Sequence, residues 1–148
     1  ITRSWPVNGK FTPRQKEIYD LVLGPQQAAI DATRPGVTMA ALDTVARNYM
    51  KANSGKLCGE SSCDRYFIHG LGHWIGMDVH DVGDYTTPLA AGMAFTIEPG
   101  IYIPEEGFGV RIEDDILVTD TGHEVLSAGA PRTTEEIEKV MREARKKK

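Results

Sequence analysis

Phe67-Ile68-His69-Gly70-Leu71-Gly72-His73-Trp74-Ile75-Gly76-Met77-Asp78-Val79-His80-Asp81 holds three of the four histidines in the chain. Histidines four apart, as His69 and His73 are, suit a zinc-binding helix only when a Glu directly follows the first. Gly70 stands there instead, and each glycine at 70 and 72 disfavours a helix by about 1 kcal/mol. The stretch therefore reads as an irregular backbone that approaches its neighbours closely and presents imidazoles. Core histidines held by hydrogen bonds are the bland alternative. Three of them interleaved with glycine weigh against it.

Two further windows carry acids. In Thr96-Ile97-Glu98-Pro99-Gly100, strand alternation sets Phe95 and Ile97 on one face and Thr96 and Glu98 on the other. Pro99 and Gly100 then end the ladder, leaving Glu98 at a strand end. In Gly109-Val110-Arg111-Ile112-Glu113-Asp114-Asp115-Ile116, Val110 and Ile112 point one way, and Arg111 and Glu113 the other. Arg111 and Glu113 on a surface would be an ion pair worth under about 1 kcal/mol. Beside a bound cation, the same pair could position a carboxylate and offset excess negative charge. Asp114 and Asp115 would repel without a cationic partner. A set rich in oxygen with few nitrogens and no thiolate suits a hard divalent ion such as Mn²⁺ better than structural zinc. Spacing alone reaches a hydrolytic metal site and no substrate.

Outward from these windows, Thr12-Pro13-Arg14-Gln15 opens a helix with a capping box and proline at the first position. Ile18, Leu21 and Val22 carry it towards Ala32, with a kink or break expected at Gly24-Pro25 because Pro25 removes a donor. Arg34-Pro35-Gly36 ends it. Thr38 caps a second helix with Leu42, Val45, Ala46, Tyr49 and Met50 on one face. Residues 53–64 read as a loop. Strands are expected at 95–98, 101–103, 110–113 and 116–119, then a tight turn at 119–122 and a short strand at 124–126. Thr133-Thr134-Glu135-Glu136 caps a last helix with Ile137, Val140, Met141 and Ala144 inward, ending on basic Arg145-Lys146-Lys147-Lys148, which complements the helix dipole. Helices, then clustered strands, then a helix make an α+β fold.

The chain has 148 residues, enough for one domain that buries roughly 70% of its unfolded surface. A net charge of −4 gives no invitation to nucleic acid or an anionic membrane. No apolar run approaches the roughly 20 residues of a membrane-spanning helix. Cys58 and Cys63 flank Gly-Glu-Ser-Ser. Reduced thiols in a cytoplasmic protein are expected, with a local disulfide as the alternative, since so small a ring removes little entropy from the unfolded chain.

These motifs, together with Ile-Thr-Arg-Ser-Trp-Pro at the start and Thr-Ile-Glu-Pro-Gly-Ile-Tyr at 96–102, resemble the pita-bread metallopeptidases. The likeness is greatest to the Xaa-Pro aminopeptidases and their prolidase relatives, over nearly the whole chain. The resemblance implies a curved antiparallel sheet flanked by helices, incomplete in this chain. It implies His73, Glu98 and Glu113 as metal ligands, and His69 and His80 as catalytic, substrate-flanking residues. Glu98 would exchange a proton with the attacking water, and Arg111 would orient acids around the metals. Two divalent ions are implied, Mn²⁺ first with Co²⁺ or Zn²⁺ as alternatives, acting on a peptide with proline in the second position.

In the family two aspartates complete the cage, both upstream, the second directly before the Ile-Thr-Arg stretch. Here that stretch begins at Ile1, so residues 1–148 are expected to be the carboxy-terminal part of the catalytic domain. The amino-terminal domain and first catalytic strands would lie elsewhere, in another chain if need be. The isolated chain is expected to be inactive, and the complete protein a homo-oligomer. Prolidase, methionine aminopeptidase and creatinase-like activities are rivals on the same fold, and Trp74 with Asp78-Val79-His80-Asp81-Val82-Gly83 favours the proline-specific branch. A non-enzymatic binding module is the rival from outside the enzymes. Its relatives have usually lost the ligands that this chain keeps.

Overall fold

Thr12 starts the first helix in the computed structural model, which describes residues 1–146. Its hydroxyl accepts from the Gln15 amide at 3.2 Å, and its own amide donates to the Gln15 side chain at 3.0 Å. α1 (Pro13–Ala32) runs on through Gly24-Pro25, so the expected break is absent. Leu21, Val22, Pro25, Gln26, Ala29 and Ile30 are all buried. Packing on both sides of Pro25 outweighs the roughly 3 kcal/mol that an interior proline costs. Gly24 serves a different end: a Cβ there would lie 2.4 Å from the Tyr49 ring, so its absence lets the second helix close on α1.

α2 (Met39–Asn53) is capped by the Thr38 hydroxyl, which accepts from the Ala41 amide at 3.1 Å. Met39, Leu42, Ala46 and Met50 are buried. Val45 is only half-buried and Tyr49 remains 37% exposed, so the inward face is narrower than the sequence suggests.

The loop after α2 corrects a second expectation, because Cys58 and Cys63 are joined in a disulfide. The Ser54 hydroxyl donates to the Met50 carbonyl at 2.6 Å and accepts from the Cys63 amide at 2.9 Å, folding the loop back onto the end of α2. That brings the two Cα atoms to 5.2 Å, inside the usual bridging range. Reduction is expected to cost about 2 kcal/mol through loop entropy. It should appear as a lower denaturant midpoint in the presence of reductant with the slope unchanged. An unmoved midpoint would count against the bridge.

A 3-10 turn at Cys63–Tyr66 leads into the histidine stretch, and the strands follow. β1 (Ala94–Ile97), β4 (Asp114–Val118) and β5 (His123–Val125) form an antiparallel sheet in the order β1-β4-β5. β2 (Gly100–Ile103) and β3 (Phe108–Arg111) form a separate hairpin, with Gly100 opposite Arg111 and Ile103 opposite Phe108. The third expected strand therefore stops short, and Glu113 pairs with Thr2 instead. The Glu113 amide donates to the Thr2 carbonyl at 3.0 Å. At the expected turn, the Thr119 amide donates to the Gly122 carbonyl at 3.0 Å.

α3 (Thr134–Lys146) begins with a second capping box. The Glu136 amide donates to the Thr133 hydroxyl, and the Thr133 amide to the Glu136 carboxylate at 2.9 Å. Ile137 is buried and Met141 half-buried, but Val140 is 49% exposed and Ala144 is exposed. The helix lies on the edge of the core, so only one turn of its apolar stripe is covered. Arg145 donates to the Asn8 carbonyl, and Lys147 and Lys148, the end of the basic run, lie outside the described residues.

One buried polar cluster ties these layers together. The Asp114 side chain is 1% exposed. It accepts from Arg3 at 2.6 Å, from Gln26 at 2.9 Å and from Ser127 at 2.5 Å, with Arg132 3.7 Å away. The acid that needed a cation has two.

Candidate metal centre

The histidine stretch is less irregular than its glycines suggest. The Ile75 amide donates to the Ala94 carbonyl at 3.1 Å, the Thr96 amide to His73 at 2.9 Å, and the Glu98 amide to Leu71 at 2.7 Å. Residues 71–75 thus lie antiparallel along the free edge of β1. Gly72 is what permits this: a Cβ would sit 1.8 Å from the Thr96 carbonyl oxygen. Beyond Trp74 the chain folds back. The Asp81 amide donates to the Trp74 carbonyl at 3.1 Å, while its carboxylate accepts from the amides of Met77 and Val82, each at 2.9 Å.

His73 is thereby laid against the acidic end of β1. Its Nδ1 lies 3.0 Å from the Trp74 carbonyl. A carbonyl only accepts, so Nδ1 carries a proton, and Nε2 is the nitrogen that a neutral ring offers to a cation. Nε2 is 3.6 Å from the Glu98 carboxylate and 3.7 Å from that of Glu113. One ligand atom from each of the three falls within 4.8 Å of the others. Their side chains are only 11–15% exposed.

Two acids converge here, and among the described residues one guanidinium faces them: Arg111 Nε stands 3.8 Å from Glu98 with its side chain 43% exposed. Burial first, and then the charge of Glu113, push the Glu98 carboxyl above its ordinary range, against the pull of His73, His69 and Arg111. A free imidazole nitrogen, two facing carboxylates and a fixed tautomer make a donor set that fits a divalent cation. The neighbouring hydrogen bond that fixes the imidazole is what metal-ligating histidines ordinarily have.

The other expected residues ring this trio at different distances. His80 is exposed, and its ring meets that of His73 edge-on at 4.3 Å between centroids. His69 stands further off, its Nδ1 2.8 Å from the Gly70 carbonyl and its Nε2 2.8 Å from the Tyr102 hydroxyl. Tyr102 and Thr2 were assigned no role from the sequence. The Thr2 hydroxyl donates to Glu113 at 2.5 Å and accepts from Arg111 Nε at 3.1 Å, bridging acid and base. No spacing rule links positions 2 and 113. Tyr102 could have been suspected only from its place one strand beyond Glu98.

Residues 1–120 match metallopeptidase family M24. The chain is 42% identical to the Xaa-Pro aminopeptidase of Escherichia coli, over 99% of this chain and 38% of that protein. It is likewise 42% identical to the Xaa-Pro aminopeptidase of Haemophilus influenzae, over 95% of this chain and 38% of that one. Aminopeptidase PepP of Pseudomonas aeruginosa superposes with a TM-score of 0.91 at 41% identity, over 99% of this chain and 38% of that chain. A zinc-substituted Escherichia coli aminopeptidase P in complex with product superposes at 0.90 and 41% identity, over 97% of this chain and 38% of that one. The chain belongs to metallopeptidase family M24 and has the pita-bread fold of the aminopeptidases P, in part. It spans a little over a third of the length of these relatives. Membership of the family implies divalent metal ions.

Proposed function

We propose that this chain supplies one side of the catalytic centre for hydrolysis of the N-terminal Xaa-Pro peptide bond. The observation that carries the reading is His73, its Nδ1 tied to Trp74 and its Nε2 turned towards Glu98 and Glu113. His73, Glu98 and Glu113 would hold the ions, Mn²⁺ first among the candidates, which when bound polarise the scissile carbonyl and activate water. Glu98 would exchange a proton with the attacking water, as the resemblance to the family implies. Arg111, bridged through Thr2 to Glu113, would keep the acids in register. His80, edge-on to His73, and His69, fixed by Tyr102, would flank the substrate and stabilise charge on its carbonyl oxygen. The chain would be the carboxy-terminal part of the catalytic domain. Two aspartates from outside it would complete the cage, and a peptide with proline in the second position would be the substrate.

The test compares this chain alone with a polypeptide that adds upstream strands ending in Asp directly before Ile1. Each is given MnCl₂ and either an Xaa-Pro dipeptide or an Xaa-Pro-Yaa tripeptide. Hydrolysis is expected only with the added strands, and faster for the tripeptide. Full activity of the chain alone would remove the shared cage, and a preference for the dipeptide would move the reading to prolidase. If neither polypeptide binds Mn²⁺, the peptidase reading fails.

A further inference from the structure

Arg47 reaches from α2 to the rear of the histidine stretch and uses every edge of its guanidinium. Nε pairs with the Asp43 carboxylate at 2.8 Å. The two terminal nitrogens donate to the carbonyls of Phe67 at 3.1 Å and His69 at 2.8 Å. The planar group lies over the Phe67 ring, 4.4 Å from its centroid, and that ring meets the His69 imidazole edge-on at 5.0 Å. One side chain therefore touches the backbone of His69 and the ring on which its imidazole rests.

Apart from the Tyr102 hydroxyl on the His69 ring, little else holds this part of the loop. The Phe67 amide closes the 3-10 turn, and the next backbone bond is the one from Glu98 to Leu71. Among the described residues, positions 68–70 take part in no backbone-to-backbone hydrogen bond outside helices and strands. Nor is the space behind filled: a cavity of about 280 Å³ borders Asp43, Arg47, Gly70, Leu71 and Gly72. Neither sheet pairing nor close packing accounts for where His69 stands.

We propose that Arg47, oriented by Asp43, is the positioning residue that sets His69 beside the metal centre. What His69 then does for substrate rests on the peptidase reading, but the clamp itself does not. Its reach ends before the ligands, because His73 is held separately by the Thr96 amide and hydroxyl. Lysine cannot replace it. An ammonium is a point donor and cannot fork to two carbonyls, pair with a carboxylate and stack on a ring at once.

The test uses the 148-residue chain, wild type against Arg47→Met, Arg47→Lys and Asp43→Asn, with folding checked by circular dichroism. Three quantities are read: hydrogen exchange of the Phe67 amide, the ¹⁵N imidazole signals of His69 identified through His69→Gln, and affinity for Mn²⁺ alone. Arg47→Met is expected to speed exchange of the Phe67 amide, which donates to the Asp64 carbonyl at 3.1 Å, by about tenfold or more, because the segment loses its tertiary tether. The His69 signals should move towards those of free histidine, while Mn²⁺ affinity stays within about twofold because the ligands share no partner with the clamp. Asp43→Asn should move the same readouts in the same direction and keeps the guanidinium, so it decides the matter if Arg47→Met fails to fold. Unchanged exchange and unchanged His69 signals in the folded variants would overturn the clamp. Full rescue by Arg47→Lys, or Mn²⁺ affinity falling in step with His69, would overturn it too. A wild-type chain that binds no Mn²⁺ would leave the peptidase reading to the longer polypeptide, and exchange and the His69 signals would judge Arg47.

Discussion

Arg3→Met is expected to destabilise the chain by about 3–5 kcal/mol, the range for breaking one side of a buried ion pair. Arg3 is 11% exposed and Asp114 1%, with 2.6 Å between them. The same guanidinium donates to the carbonyls of Glu113 at 2.7 Å, Thr2 at 2.9 Å and Pro131 at 2.8 Å. Removing it takes the donor from the Pro131 carbonyl, while Thr2 and Glu113 keep their mutual backbone bonds, and leaves the Asp114 charge to Gln26, Ser127 and a more distant Arg132. The measurement is the urea midpoint. A loss under about 1 kcal/mol would show the charge to be better compensated than these contacts allow. Arg3→Met combined with Asp114→Leu should recover most of the loss, since no buried charge then goes unpaired. The pair Arg14–Glu106 makes the contrast. It is also close, at 2.5 Å, but both side chains are about a third exposed, and Arg14→Ala is expected to cost under about 1 kcal/mol.

Glu98→Gln is expected to act in opposite directions on metal-free stability and on metal binding. Burial and the charge of Glu113 hold the Glu98 carboxyl above its ordinary range, so the folded chain prefers it protonated. Its contribution to stability is present below the unfolded value and is lost as pH rises through the raised folded value. At neutral pH the ionised carboxylate is therefore a burden on the metal-free fold, which the neutral amide removes. The variant should be more stable than wild type at neutral pH, and the difference should close as the pH falls below the carboxylate range. Affinity for Mn²⁺ should fall by about 100-fold or more, at or beyond the upper end of the loss seen when an outer partner is removed. Denaturation at two pH values and calorimetric titration with Mn²⁺ read both effects. A variant that is less stable without metal, or one that binds Mn²⁺ as wild type does, would falsify the assignment of Glu98 as a ligand held at a cost to the fold.

Much of this was legible in the sequence. The capping boxes at Thr12 and Thr133 are local chemistry, and both form as the spacing requires. The alternation that set Thr96 and Glu98 on one face holds, with a 3.4 Å contact between their side chains. What misled was local too. Pro25 looked like a break because the rule for proline takes no account of the burial on either side. Val140 and Ala144 looked inward because periodicity gives the direction of a face and not how much of the protein lies opposite it. The disulfide is the less expected state because a short ring offers little entropy, while the Ser54 contacts that fold the loop are invisible in composition.

The residues of the centre follow the same division. Residue type and order put the histidines and acids of these windows forward, because imidazoles and carboxylates are what a hard cation asks for, and the family resemblance singles out His73, Glu98 and Glu113 among them. Only the tertiary structure decided that they meet. Gly72 lets the histidine stretch lie on β1, Trp74 fixes the imidazole, and Thr2 reaches across more than a hundred residues to hold Glu113. Arg47 belongs to this second kind, an ordinary helical arginine in the sequence and a clamp in the fold. Side-chain chemistry is written residue by residue, whereas distance between elements is set by packing, which no local pattern encodes.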